Sequence, residues 1–175
     1  MKDKKDKIII EVQEGELLEA EDTKKALRIL TFKLGSENYG VRITQAKEVI
    51  KLPDVTRVPN TPEFIFGIFN LRGGIVTLVD IRQFFGIAQE KKPEGRRVIV
   101  TDVTGSAVGV LIDNLRDILD IEEELIQPPL ATLKGKLKNY TKGHIQLGTE
   151  IIILLDLQRI LKSEEMESLR TGGGE

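Results

Sequence analysis

Cysteine and tryptophan are both absent from the chain, and histidine occurs once. Without thiols there is no disulfide framework, no thiolate nucleophile and no zinc–cysteine site, and a reducing compartment suits such a chain. Aromatic residues amount to 5% and the formal net charge is −2, so neither base stacking nor a global positive field favours nucleic acid. Long apolar runs are missing too. Ile8-Ile9-Ile10 is too short for the core of a signal peptide. The longest later run, Ile151 to Leu155, falls far short of the roughly 20 residues that cross a bilayer. The expectation is a soluble, cytoplasmic protein. What remains is the make-up of a folded domain, with 40% hydrophobic and 31% charged residues, which argues against wholesale disorder.

Residues 1–25 alternate charges of both signs and read as a flexible tail; a docking segment that orders on a partner is the other reading. Residues 171–175 are glycine-rich and read as a second tail. Between them, short β-branched runs recur at Leu30–Leu34, Ile75–Val79, Val98–Thr101, Val108–Ile112 and Ile151–Leu155. Turn residues separate them, among them Arg72-Gly73-Gly74 and Thr104-Gly105-Ser106. Helical signals are short. Thr61-Pro62-Glu63 opens a helical turn that Gly67 ends, Asp80 caps Ile81–Phe85 before Gly86, and Ser163 opens a terminal helix to about Arg170.

The chain repeats itself. A shift of 69 residues lays Tyr39-Gly40-Val41-Arg42-Ile43 on Val108-Gly109-Val110-Leu111-Ile112, and Glu48-Val49-Ile50 on Asp117-Ile118-Leu119. A shift of 76, allowing seven extra residues in the second half, lays Leu71 on Leu147 and Leu78-Val79-Asp80-Ile81 on Leu154-Leu155-Asp156-Leu157. The fold class is therefore mainly β. It comprises two similar five-stranded small barrels from an internal duplication, with halves 26–94 and 95–162 and a helix over 163–170. A barrel of about 60–70 residues buries only about 60% of its surface, so the two must pack together and share a seam. Whether strands exchange between barrels is not legible in the sequence.

The repeat sorts the residues. Asp80 and Asp156 resemble an acid–base pair, yet they hold the same place in each half, so capping explains them better. Arg72 faces Gly148 in the alignment, and a feature present in one half only is the better functional candidate. His144 lacks acidic partners at ligand spacing, no nucleophile elbow or phosphate loop occurs, and Lys134-Gly135-Lys136-Leu137-Lys138 reads as a solvated loop. No catalytic residue, metal ligand or cofactor is expected.

Tyr39-Gly40-Val41, Ala46-Lys47-Glu48-Val49-Ile50, Val58-Pro59-Asn60-Thr61-Pro62, Gly67-Ile68-Phe69-Asn70-Leu71-Arg72-Gly73 and Val79-Asp80-Ile81-Arg82 together resemble the CheW family of bacterial chemotaxis coupling proteins. The likeness runs over about residues 27–170 and continues through Val108–Asp113 and Leu154–Leu157. It implies a non-enzymatic adaptor joining the cytoplasmic tip of chemoreceptors to the histidine kinase CheA. The regulatory domain of that kinase has the same fold and would meet the adaptor head to tail. It implies further that Glu48 and Arg72 bind partners, and that Ala46 occupies a groove position often filled by a larger apolar residue. Gly109 and Ile118 join them through repeat geometry and family likeness. The competing readings are a ligand- or oligonucleotide-binding barrel, the same domain fused to a receiver or kinase, and an unrecognised enzyme. Acidity and few aromatics speak against the first, and chain length against the second.

Overall fold

Ten of the eleven strands among the described residues fall into two series of five, one in each half, each ending in a short helix. The computed structural model describes residues 9–10, 26–88 and 94–166. The first half runs β2 (Ala26–Leu34), β3 (Glu37–Arg42), β4 (Glu48–Lys51), β5 (Ile65–Leu71), β6 (Gly74–Val79) and α1 (Ile81–Phe85). The second runs β7 (Arg97–Val103), β8 (Ser106–Ile112), β9 (Asn114–Glu122), α2 (Gly135–Asn139), β10 (Thr141–Leu147), β11 (Glu150–Leu155) and α3 (Leu157–Leu161). Within the expected N-terminal tail, Ile9–Ile10 forms β1, which pairs with Leu119 and Ile118 of β9. The rest of residues 1–25 and 171–175 lies outside the described residues.

The strands sort into two sheets, ordered β4-β7-β8-β6-β5 and β1-β9-β2-β3-β11-β10. The halves exchange hairpins. β2–β3 of the first half joins β9, β10 and β11, while β7–β8 of the second joins β4, β5 and β6. The joins are the parallel pairs β3–β11 and β6–β8. The halves 26–94 and 95–162 are thus units of sequence rather than of packing. The ladders leave each sheet's two edges apart, and one bridge brings them round. Thr56, beyond β4, bonds to Ile68 of β5, and Gln127, beyond β9, bonds to His144 of β10. The bridges fall at matching places in the repeats.

Alternation along the strands fills three cores. In β8, Val108, Val110 and Ile112 face the seam, whereas Leu111 faces into its own sheet with Phe69, Val76, Leu78, Val98 and Val100. The other sheet encloses Ile29, Leu119, Ile121, Ile145, Ile152 and Leu154. Six buried apolar residues per sheet make a small interior, and the largest core lies between the sheets. Neither sheet has enough interior to stand alone, as the size argument requires.

Two local expectations are corrected. Thr61-Pro62-Glu63 forms no helix: Thr61 Oγ1 donates to the Val58 carbonyl (2.8 Å), and the Ile65 N–H to Pro62 (3.0 Å). Gly67 does not end a helix but lies within β5 at φ 156°, where a Cβ would sit 2.5 Å from the Thr56 oxygen. The bridge that closes the sheet demands this close approach and leaves no room for a helix. The second half has the extra length, and Lys134–Lys138, expected as a solvated loop, folds largely into α2. Leu137 packs on the seam core, and Lys136 lies 4.6 Å over the Phe84 ring and pairs with Glu165 at 2.6 Å. Of the expected terminal helix, residues 164–166 are helical, and 167–170 lie outside the described residues.

Candidate functional site

Arg72 sits at the tip of the β5–β6 hairpin. It takes φ 51° and Gly73 takes φ 87°, the signs that a tight two-residue hairpin turn needs at both central positions. Asn70 Oδ1 accepts the Gly73 N–H (3.0 Å) and fixes the turn. From this tip the Arg72 side chain turns back onto β4. Its two terminal nitrogens donate to the two carboxylate oxygens of Glu48 at 2.8 and 2.9 Å. The partners differ in exposure, with the Arg72 side chain 66% exposed and that of Glu48 6%. The hydrogen bonds and charge of Glu48 raise the Arg72 pKa further, so the cation is permanent. A guanidinium has five N–H donors, and Glu48 uses two. The others belong to a side chain that is 66% exposed and whose orientation is already set.

Glu48 owes its place to a crossover. The chain leaves β3, makes a single 3-10 turn over Ile43–Gln45, and enters β4 in the other sheet. Ala46 closes that turn with its N–H on the Ile43 carbonyl (3.0 Å) and is buried in the seam core. Lys47 donates to Asp102 of the β7–β8 hairpin (2.9 Å), so the two charges opening β4 tie down two different hairpins. The structure therefore brings Glu48 and Arg72 into contact and puts Ala46 on the same crossover. It does not bring the other two expected residues to this surface. Ile118 is buried in the seam core, opposite Leu30 of β2 and Ile10 of β1. Gly109 faces into the five-stranded sheet, where a Cβ would lie 2.8 Å from Val98. Its repeat counterpart Gly40 is equally crowded by Ile29, at 2.8 Å.

Beside the hairpin lies an apolar groove of about 320 Å³, lined in part by Val58, Ile68, Ile75, Val108, Leu161 and Met166. Ile75 is 66% exposed on its rim. The sequence reading placed Ile75 in a strand without assigning it a face. The signal was available, because alternation sets Ile75 with Thr77 and Val79, opposite Val76 and Leu78. Ile151, 76 residues on, is the other exposed large apolar residue among those described, at 39%.

Four titratable groups elsewhere have structural partners. Asp80 and Asp156 cap α1 and α3 through the N–H groups of Arg82 (3.0 Å) and Arg159 (3.2 Å). The imidazole Nδ1 of His144 lies 2.6 Å from the Pro128 carbonyl. Arg82, which the sequence reading passed over, is buried between Asp80 (3.1 Å) and Asp113 (2.8 Å). Burial would lower its pKa, but hydrogen bonds and charge from Asp80 and then Asp113 outweigh that and raise it. Among the described residues no three acidic or histidine groups gather to hold a metal, and no helix is long and apolar enough to cross a membrane.

The comparisons with known proteins point one way. The family model described as "CheW-like domain" matches residues 28–165. The Chemotaxis protein CheW of Klebsiella aerogenes is 37% identical over 137 residues, covering 78% of this chain and 82% of its own. Its namesake in Treponema pallidum is 30% identical over 146 residues, covering 81% and 86%. Among solved structures, the scaffolding protein TtCheW from Thermoanaerobacter tengcongensis superposes with a TM-score of 0.70 at 31% identity, over 79% of this chain and 94% of that one. Strand order, repeat and sequence agree, and this chain belongs to the CheW-like family of chemotaxis scaffolding proteins.

Proposed function

We propose that the protein is a non-enzymatic adaptor that couples the cytoplasmic tips of transmembrane chemoreceptors to the histidine kinase CheA, working in the cytoplasm at the membrane only through those partners. The observation that carries this reading is the Glu48–Arg72 pair, a preset cation at a hairpin tip whose counter-ion is buried. Arginine held this way offers directed donors at little entropic cost, a property of interface hot spots. The receptor tip is assigned to Arg72, Glu48 and the crossover at Ala46, and Gly109 and Ile118 serve that surface only by keeping the sheets beneath it folded. The kinase regulatory domain is assigned to the Ile75 groove. Ile75 and Ile151 hold equivalent positions in the two repeats and are both exposed. Partners sharing the fold can therefore meet head to tail, one face to the other, and such contacts build rings or open arrays. Weak contacts gain strength from repetition in an array. The barrel-ligand reading loses ground because both sheet interiors are filled by buried side chains.

The test is an isotope-labelled titration of the full chain with a receptor-tip fragment and, separately, with the kinase regulatory domain. Arg72→Ala removes charge-assisted hydrogen bonds worth about 1.5–3 kcal/mol, so tip binding should weaken about 10-fold or more with the fold intact. Ile75→Asp should weaken the regulatory domain and spare the tip. Unchanged tip binding by Arg72→Ala would remove Arg72 from the site. Loss of both partners with either variant would merge the two faces into one.

A further inference from the structure

We infer that Gln45 is the positioning residue of the Glu48–Arg72 site, fastening the β3–β4 crossover to α3 of the other sheet, so that the placement of the two sheets sets the partner-facing cation. The inference rests on the assignment of tip binding to that pair.

The backbone of Ile43–Lys47 has few ties of its own. It bonds within its single turn and then through the Lys47 N–H to Val100 (2.8 Å). Gln45 supplies the rest. Its side-chain oxygen accepts the Leu157 N–H, the first of α3, at 2.8 Å, and its amide nitrogen donates to Asp156, the α3 cap, at 3.2 Å. Its backbone carbonyl accepts Thr101 Oγ1 at 2.5 Å. Gln158, one residue into α3, closes the circuit by donating to Thr101 Oγ1 (3.3 Å) and to the Asp102 carbonyl (3.0 Å). A ring of hydrogen bonds thus spans the seam from α3 to the crossover, to β7 and back. β7 is the ladder partner of Glu48, which lies opposite Val100, and Asp102 holds Lys47. Movement of α3 relative to the five-stranded sheet must reach Glu48 through this ring, and Arg72 follows its carboxylate.

The arrangement occurs once. The repeat counterpart of Gln45 is Asn114, and its amide lies against the carbonyls of Glu94 and Asp113 rather than against α1. A bond made in one half only is the mark that singled out Arg72, and by the same mark Gln45 belongs to the site.

The experiment measures binding of the receptor-tip fragment by wild type, Gln45→Ala, Arg72→Ala, the double variant and Asn114→Ala, each full length. Gln45→Met, which keeps volume and removes both amide bonds, is measured alongside so that loosening of the fold cannot mimic the result. Loss of the amide bonds should weaken binding about fivefold. The double variant should bind no more weakly than Arg72→Ala, because the Gln45 effect passes through Arg72. Asn114→Ala should bind as wild type. Without any partner, the Nη–H signals of Arg72 should lose protection from solvent exchange in Gln45→Ala and keep it in Asn114→Ala. Wild-type binding by both Gln45 variants, or effects of Gln45 and Arg72 that multiply, would overturn the inference and leave the site standing. Wild-type binding by Arg72→Ala would overturn the site and the inference together.

Discussion

Asp80 and Asp156 stand at the same point of their repeats, and each caps the short helix that follows, but their surroundings differ. Asp80 is joined by Arg82 and Asp113 in a charged cluster whose side chains are 2–5% exposed, with the Gly35 N–H on Asp113 at 2.6 Å. Asp156 is joined by Gln45, and Gln158 occupies the place of Arg82. Each set holds a crossover between the sheets, one with buried charge and the other with half-exposed amides. Charges in a cluster of this kind have been taken out of water together, and losing one strands the others. Amides at a wetter end can trade one partner for a water at small cost. The duplicated fold thus has one seam end that resists change and one that tolerates it, and Glu48 and Arg72 lie at the tolerant end.

The sharpest way to break this comparison is to cut both ends at the equivalent residue. Arg82→Ala leaves Asp80 and Asp113 buried without their cation and should cost about 3–5 kcal/mol. Gln158→Ala should cost about 1 kcal/mol, since it strands no buried charge and Thr101 Oγ1 keeps its bond to the Gln45 carbonyl. Urea unfolding of both variants, read by far-ultraviolet circular dichroism, gives the two values. Equal losses would mean that the seam has no privileged end.

Inside the sheets the halves should behave alike. Gly40→Ala would push a Cβ to 2.8 Å from Ile29, and Gly109→Ala to 2.8 Å from Val98. Overpacking of this kind costs about 1–3 kcal/mol, and the two variants should lose similar amounts in the same denaturation assay. Gly109→Ala, once corrected for folded fraction, should bind the receptor-tip fragment as wild type. A selective loss of binding would instead give Gly109 a part at the interface that its buried position does not predict.

Much of this was legible in the sequence because periodicity and repetition leave direct traces. The β-branched runs fall in β2, β6, β7, β8 and β11, and both capping aspartates sit where the repeat put them. Glu48 and Arg72 were each singled out in the sequence, but their contact was not legible there, since 24 residues separate them and only the fold joins them. The hairpin exchange was not legible, because β3–β11 and β6–β8 are long-range pairings that alter no local pattern. Arg82 was missed because charged residues are read as exposed, and only the fold supplies its two aspartates. The Thr61-Pro62-Glu63 turn failed as a helix because local capping signals cannot register a distant bridge at Thr56. Gln45 left no trace, since one glutamine in a turn is unremarkable until α3 arrives beside it.

The smallest effect concerns the outermost charges of the tolerant end. Asp102 accepts Lys47 Nζ at 2.9 Å and the Gly105 N–H at 2.9 Å. The lysine first, and then the backbone donor, hold its carboxyl below the ordinary 3.8. A carboxyl with a folded-state pKa below its unfolded value adds stability that is complete above the unfolded value and disappears as pH falls through the folded one. For Asp102 that window opens at 3.8 and runs downward. Lys47→Ala removes the larger cause, so the carboxyl titration followed by carbon NMR should move up towards 3.8 without reaching it, because Gly105 remains. Salt should act in the same direction: at 1 M the screening length is about 3 Å, and the pair is open to solvent. The Arg82 cluster, closed to solvent, should show the same loss on Arg82→Ala at low and high salt. If Asp102 ignores both the lysine and the salt, backbone bonds alone secure that hairpin, and the tolerant end differs from the resistant one in its amides only.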